Sequence, residues 1–178
     1  VYTGSSAPNS VYHWNYDGGS GSSSGPGPHQ VVWGSAGTKD VTLWLEVNGC
    51  PSDTTTQSVT VHDVPTATFT ATPQLCANEQ AQITYVGSAD PTNATFTWDL
   101  DGGSGAGGNN FQANWSTPGT KTITLTVEEN GCESVAFSQT ITVFPLPSAS
   151  FFVQPSLCVD DIAQITYTGS SPFGASYA

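Results

Sequence analysis

The chain carries a repeat of fixed period. Asn48-Gly49-Cys50 returns as Asn130-Gly131-Cys132, a shift of 132 − 50 = 82 residues. Cys76 returns as Cys158, Trp33 as Trp115, and Gly37-Thr38-Lys39 as Gly119-Thr120-Lys121, all at that shift. Val1-Tyr2-Thr3-Gly4-Ser5 also matches Thr84-Tyr85-Val86-Gly87-Ser88 and Thr166-Tyr167-Thr168-Gly169-Ser170. A period of this kind constrains the fold more than composition does, because each unit must be built the same way. It divides the chain into a repeat lacking its beginning (1–64), a complete repeat (65–146) and the start of a third (147–178). Both ends then fall inside a repeat. The expectation is either a longer covalent chain or separate subunits that complete one another by strand addition.

Within each repeat the apolar residues alternate. Val41, Leu43, Leu45 and Val47 interleave with Thr42, Trp44 and Glu46; Ile123, Leu125 and Val127 interleave with Thr124, Thr126 and Glu128. Period two is the signature of a half-buried strand. The following Asn-Gly pairs predict type I′ hairpin turns, which need positive φ at both central residues. Return strands are expected over 58–64 and 139–144, and no amphipathic helix is expected. Tyr12-Trp14-Tyr16 and Phe96-Trp98-Leu100 form a second alternating set, each ending in Asp-Gly-Gly. The Gly-, Ser- and Asn-rich stretches that follow read as loops. They differ in length between repeats, so each is either a tolerated surface excursion or a recognition loop. Short Pro-containing joints at 62–65 and 144–147 predict a semi-rigid string.

Two basic residues face 14 acidic ones, a net charge of −12. Such a surface disfavours nucleic acid and anionic membranes. Apolar stretches are too short to span a bilayer, so no direct membrane insertion is expected. With four cysteines and a Thr-rich β pattern, the chain reads as extracellular.

Trp98-Asp99-Leu100-Asp101-Gly102-Gly103, then Trp115, then 118–127 with its Gly-Thr-Lys-Thr-Ile-Thr-Leu-Thr-Val run, resembles the polycystic-kidney-disease (PKD) type of immunoglobulin-like domain. Asp-Gly-Gly stands where that family usually has Gly-Asp-Gly, and Trp33 and Trp115 stand where it has Tyr. The added cysteines resemble repeats in large surface adhesins of gliding, type IX-secreting Bacteroidetes. The resemblance implies an all-β fold of tandem immunoglobulin-like (PKD-like) β-sandwiches, about seven strands per repeat. In the complete repeat it puts strand A near 66–71, B near 81–86, C near 95–100, F near 121–128 and G near 134–143. Trp98, and Trp14 in the first repeat, would be core aromatics on strand C, with Ile83 and Tyr85 facing Trp98.

That topology bears on Cys50, Cys76, Cys132 and Cys158. Cys76 would lie in the A–B loop and Cys132 at the F–G turn, at opposite poles of one sandwich, whereas a disulfide needs Cα atoms within about 7 Å. Bridges between successive repeats are therefore favoured, with Cys76–Cys132 and free thiols as the alternatives. Asp99 and Asp101 could supply oxygen ligands to calcium, which some PKD-like domains bind, or could close an Asx-type turn. No other cofactor is expected. Trp44 occupies an outward slot held by Thr126 in the next repeat, so it either contacts a sugar or neighbour or is incidental. Asp53-Thr54-Thr55 resembles a Bacteroidetes O-glycosylation motif, making Thr54 a candidate; Asn93 and Asn114 match N-glycan sequons.

Neither a nucleophile motif, a phosphate loop nor zinc spacing is present. His13 and His62 are replaced by Thr97 and Phe144 one repeat on. An enzyme is not expected. The expected role is a non-catalytic structural repeat of a bacterial surface stalk or filament in an adhesin for gliding or attachment. Its partners would be neighbouring repeats or identical chains head-to-tail, and a surface polysaccharide is a further candidate. The alternatives are a polysaccharide-binding module and an accessory domain of a secreted hydrolase.

Overall fold

The computed structural model describes residues 8–171. The chain divides into two compact units, Val1–Val64 and Pro65–Ala178. Among the described residues every regular element is a strand.

Unit 1 contains β1 (Val11–Asn15), β2 (Ser20–Gly21), β3 (Val31–Val32), β4 (Gly37–Val47), β5 (Cys50–Pro51) and β6 (Thr55–Val61). β1, β5 and β6 all pair antiparallel with β4, while β2 and β3 pair with each other. The return strand thus begins and ends three residues earlier than the expected 58–64.

Unit 2 contains β7 (Phe69–Ala71), β8 (Gln74–Cys76), β9 (Gln80–Tyr85), β10 (Thr95–Asp99), β11 (Ser104–Gly105), β12 (Asn110–Asn114), β13 (Gly119–Glu129), β14 (Cys132–Glu133) and β15 (Phe137–Phe144). One sheet runs β10-β13-β15-β8 with β14 attached to β13, and the other runs β11-β12-β9-β7. The apolar members of the alternating strands meet between these sheets, because only one face of each strand can be taken out of water. Ile123, Leu125 and Val127 of β13 are buried, as are Ile83 of β9 and Ile141 and Val143 of β15. The intervening Thr122, Thr124 and Thr126 point away from this core. A third pair, β16 (Phe151–Val153) and β17 (Ile165–Tyr167), forms an antiparallel two-stranded ribbon.

The hairpin turns have the backbone the Asn-Gly pairs call for. Asn48 and Gly49 sit at φ 51° and 79°, and Asn130 and Gly131 at 53° and 77°. This left-handed pair matches the twist of the flanking strands.

Trp98 packs against the unit 2 core from its rim and is half-buried. The indole at the centre is Trp115, 1% exposed, directly after β12. Tyr85 does not face Trp98 as expected: its ring meets Phe96 edge-on at 4.9 Å. Trp98 instead contacts Phe69 at 4.9 Å and Phe111 at 5.2 Å. The reason is register, since Phe111 lies opposite Ile83 on the facing sheet and takes the place beside Trp98.

Candidate functional site

The most constrained local structure is the loop after each C-type strand. In Leu100-Asp101-Gly102-Gly103, Asp101 and Gly102 take φ 49° and 77°, and Gly103 N–H donates to the Leu100 carbonyl at 3.0 Å. Trp115 Nε1–H donates to the same carbonyl at 2.7 Å. Asp99 Oδ1 accepts the Asp101 amide at 3.0 Å, and Asp101 Oδ2 accepts the Thr122 amide at 3.0 Å. Trp98 Nε1–H reaches on to the Gly108 carbonyl at 2.9 Å.

Unit 1 repeats every bond. Gly19 N–H and Trp33 Nε1–H both donate to the Tyr16 carbonyl, at 3.0 and 2.7 Å. Asn15 accepts the Asp17 amide at 3.0 Å, Asp17 accepts the Asp40 amide at 3.1 Å, and Trp14 Nε1–H donates to Gly25 at 3.0 Å. Asp99 and Asp101 therefore close an Asx-type turn and tie it to β13. Among the described residues no cluster of three or more His, Cys, Asp or Glu is placed to hold a metal.

The loops themselves diverge. In unit 1 an open hollow of about 570 Å³ is lined by Ser22, Ser24, Pro26, His29 and Gln30. His29 lies edge-on to Trp14 at 5.2 Å and within 3.2 Å of the Gly25 carbonyl. Tyr16, buried in unit 1, donates its hydroxyl to Ser22 at 2.8 Å, and burial pushes its phenol pKa up.

Trp44 stands on β4 directly opposite His13 of β1. The rings stack at 3.7 Å with an interplanar angle of 7°, and His13 Nε2 lies 3.9 Å from Glu46 Oε2. The corresponding pair in unit 2 is Thr97 opposite Thr126. Each break in the repeat symmetry is visible in the sequence separately, but not that the two touch; the antiparallel register is the signal that joins them.

The four cysteines are unbonded, with Cys50 and Cys158 exposed. Cys76 lies beside Phe144, one position past the Gly119–Val143 pair, whereas Cys132 lies beside Glu129. From Gly119 to Glu129 is 129 − 119 = 10 residues of β13, about 33 Å at strand rise. A Cys76–Cys132 bridge is therefore out of reach within unit 2. Thr54 is exposed just before β6. Asn93 is also exposed, but its side-chain amide donates to Asp90 at 3.1 Å. His62 and Asp63 are exposed in the joint between units.

Two facing sheets, antiparallel except where β8 runs parallel to β15, with a braced C-type strand define residues 65–144 as an immunoglobulin-like β-sandwich. Residues 62–144 match the PKD domain family, and a PKD domain is found there. Domains of this kind are typically extracellular and non-catalytic. Among the described residues no helix is long and apolar enough to cross a membrane. No curated protein matches the chain.

Proposed function

We propose that the chain is a non-catalytic structural segment of an extracellular stalk or filament on a bacterial surface, built of tandem PKD-type repeats and belonging to an adhesin for attachment or gliding. The observation that carries this reading is the recurrence of one bonding frame in both units. The Asp-Gly-Gly turn, its indole brace and its tie to the long strand are repeated bond for bond. Selection on a spacer preserves the frame of each copy, while a catalytic site needs one place where polar groups converge. The low count of Lys and Arg, two in all, leaves few sites for trypsin-like proteases outside the cell. Type IX export and O-glycosylation at Thr54 belong to the same reading.

The test is antibody labelling of intact producing cells. Signal on unpermeabilised cells, removed by surface proteolysis, supports the reading; signal only after permeabilisation refutes it. A second reading, polysaccharide binding, rests on the His13–Trp44 stack that breaks the repeat symmetry. Glycan-array binding lost in Trp44→Ala supports it; absence of binding by the unaltered chain sinks it.

A further inference from the structure

Four of the five tryptophans use the indole N–H inside the fold. Trp14, Trp33, Trp98 and Trp115 donate Nε1–H to backbone carbonyls at 3.0, 2.7, 2.9 and 2.7 Å. Trp44 is the exception. Among the described residues its Nε1–H has no acceptor, and its ring contact is the His13 stack. An indole of this kind is enriched at interfaces, where the ring meets one partner group and the N–H another. Register fixes where the free side of the ring lies. β4 runs between β1 and β6. His13 stands directly opposite Trp44 on β1, and parallel rings 3.7 Å apart put the ring normal across the strands. One indole face is therefore capped by imidazole, and the opposite face turns toward β6. There the Leu43–Thr55 pair makes Thr54, small and exposed, the next residue along.

Carboxylates flank this free face. Glu46 follows two positions after Trp44 on the same side of β4. Its carboxylate accepts no hydrogen bond among the described residues, and His13 Nε2, 3.9 Å away, is too far to give one. Asp53, exposed beside Thr54, puts a second carboxylate at the β6 edge, also without a hydrogen bond among the described residues. Lys39, the one Lys or Arg in residues 1–64, alternates to the opposite face and bonds Ser35. The outward face is open in unit 2 as well, where both sheets are in place: Thr95, Thr97 and Glu128 are exposed there. Only the chemistry differs. Thr97 and Thr126 correspond to His13 and Trp44, while Glu128 corresponds to Glu46.

We infer that this outward face of unit 1 binds an arginine-bearing segment of another polypeptide. The guanidinium lies flat on the free indole face, as the imidazole lies on the other. Its N–H groups pair with Glu46 and Asp53, whose acceptor positions are unfilled by the fold. A backbone carbonyl of the same segment accepts Trp44 Nε1–H. Carboxylates with no Lys or Arg beside them draw a cation in preference to a neutral sugar. A flat ring face suits the planar guanidinium better than a tetrahedral ammonium. Polysaccharide binding would use the same indole, so the two ligands compete for it. The site does not depend on the chain serving as a stalk.

The test is two-dimensional NMR of the whole isotope-labelled chain, in which each of the five indole N–H groups gives its own peak. Trp44→Thr, which carries the residue unit 2 has in that slot, assigns the Trp44 peak by its loss. The probe is an acetylated, amidated Gly-Arg-Gly-Arg-Gly peptide. Controls carry lysine or citrulline in place of arginine, and a neutral N-acetylglucosamine oligosaccharide forms the last arm. The arginine peptide should shift the Trp44 peak saturably and leave the other four nearly in place. The lysine peptide should bind at least about twofold more weakly, and the citrulline peptide should give no shift. Glu46→Gln combined with Asp53→Asn should weaken binding about tenfold. Followed at the β4 amides, Trp44→Thr should weaken it about tenfold as well. No response to the arginine peptide overturns the inference, as does a lysine or citrulline peptide that binds equally well. So does a response spread evenly over all five indoles, or undiminished affinity in the carboxylate variant, which leaves the sheet unaltered. A Trp44 shift with the oligosaccharide alone also overturns it and supports polysaccharide binding instead.

Discussion

Replacing Gly103 with Ala tests the indole brace directly. A methyl built at Gly103 would fall 2.5 Å from both Cε2 and Nε1 of Trp115 and 2.9 Å from Cζ2. Trp115 is 1% exposed and cannot swing into solvent without opening the core. Overpacking of this kind costs about 1–3 kcal/mol. Trp115→Ala removes the whole indole and its bond to Leu100, whose carbonyl keeps its bond from Gly103 N–H. Truncating a buried aromatic ring to a methyl costs about 3–5 kcal/mol. It also vacates the volume that the methyl added by Gly103→Ala would enter. The double variant should therefore cost little more than Trp115→Ala alone, a coupling of about 1–3 kcal/mol. Native-state hydrogen exchange at the β13 amides reads unit 2 separately from unit 1, and each 1.4 kcal/mol changes protection about tenfold. Costs that add to within about 0.5 kcal/mol would refute the reasoning, because the methyl and indole would then not share the space.

Gly131→Ala, at φ 77°, should lower the unfolding midpoint of unit 2 by an amount corresponding to about 1–2 kcal/mol in thermal melts followed by circular dichroism. Asp101→Ala leaves the Thr122 amide without its acceptor and should cost about 1–2 kcal/mol by urea titration, while EDTA leaves the midpoint of the unaltered chain in place. Asp90 accepts the Thr92 amide, the Thr92 hydroxyl and the Asn93 amide, which hold its carboxyl below the usual carboxylate range. A depressed native pKa contributes stability that is present above the unfolded carboxylate pKa and lost as pH falls through the native value. The acid-side fall in Tm should consequently be shallower in Asp90→Asn than in the unaltered chain. Peptide mapping of the monomeric, non-reduced protein should find no Cys76–Cys132 bridge, since the strand between them holds the sulfurs apart.

Much of the frame is legible because it is local. Alternation in 119–129 needs no partner to be read, and Asn130-Gly131 carries its own backbone requirement. The core indole is harder. Trp98 has the flanking pattern of an immunoglobulin-like core residue, but the deeper burial belongs to Trp115, whose depth depends on the sheet facing it. The one hint in the sequence is that Trp33 and Trp115 keep the 82-residue shift although the loop before them changes length. The His13–Trp44 contact requires the pairing register, which brings residues 44 − 13 = 31 positions apart into stacking distance.

The period, the strand alternation and the turn chemistry follow from the amino-acid order alone, because each is a property of a few neighbouring residues. Which ring fills the core, how far Cys76 lies from Cys132, and which apolar faces remain uncovered are settled only when the sheets come together. Phe69 and Phe151 occupy equivalent places in equivalent ribbons, yet one is 4% exposed and the other 68%. Among the described residues only Phe69 has an opposing sheet, and burial is a relation between surfaces that no single segment contains.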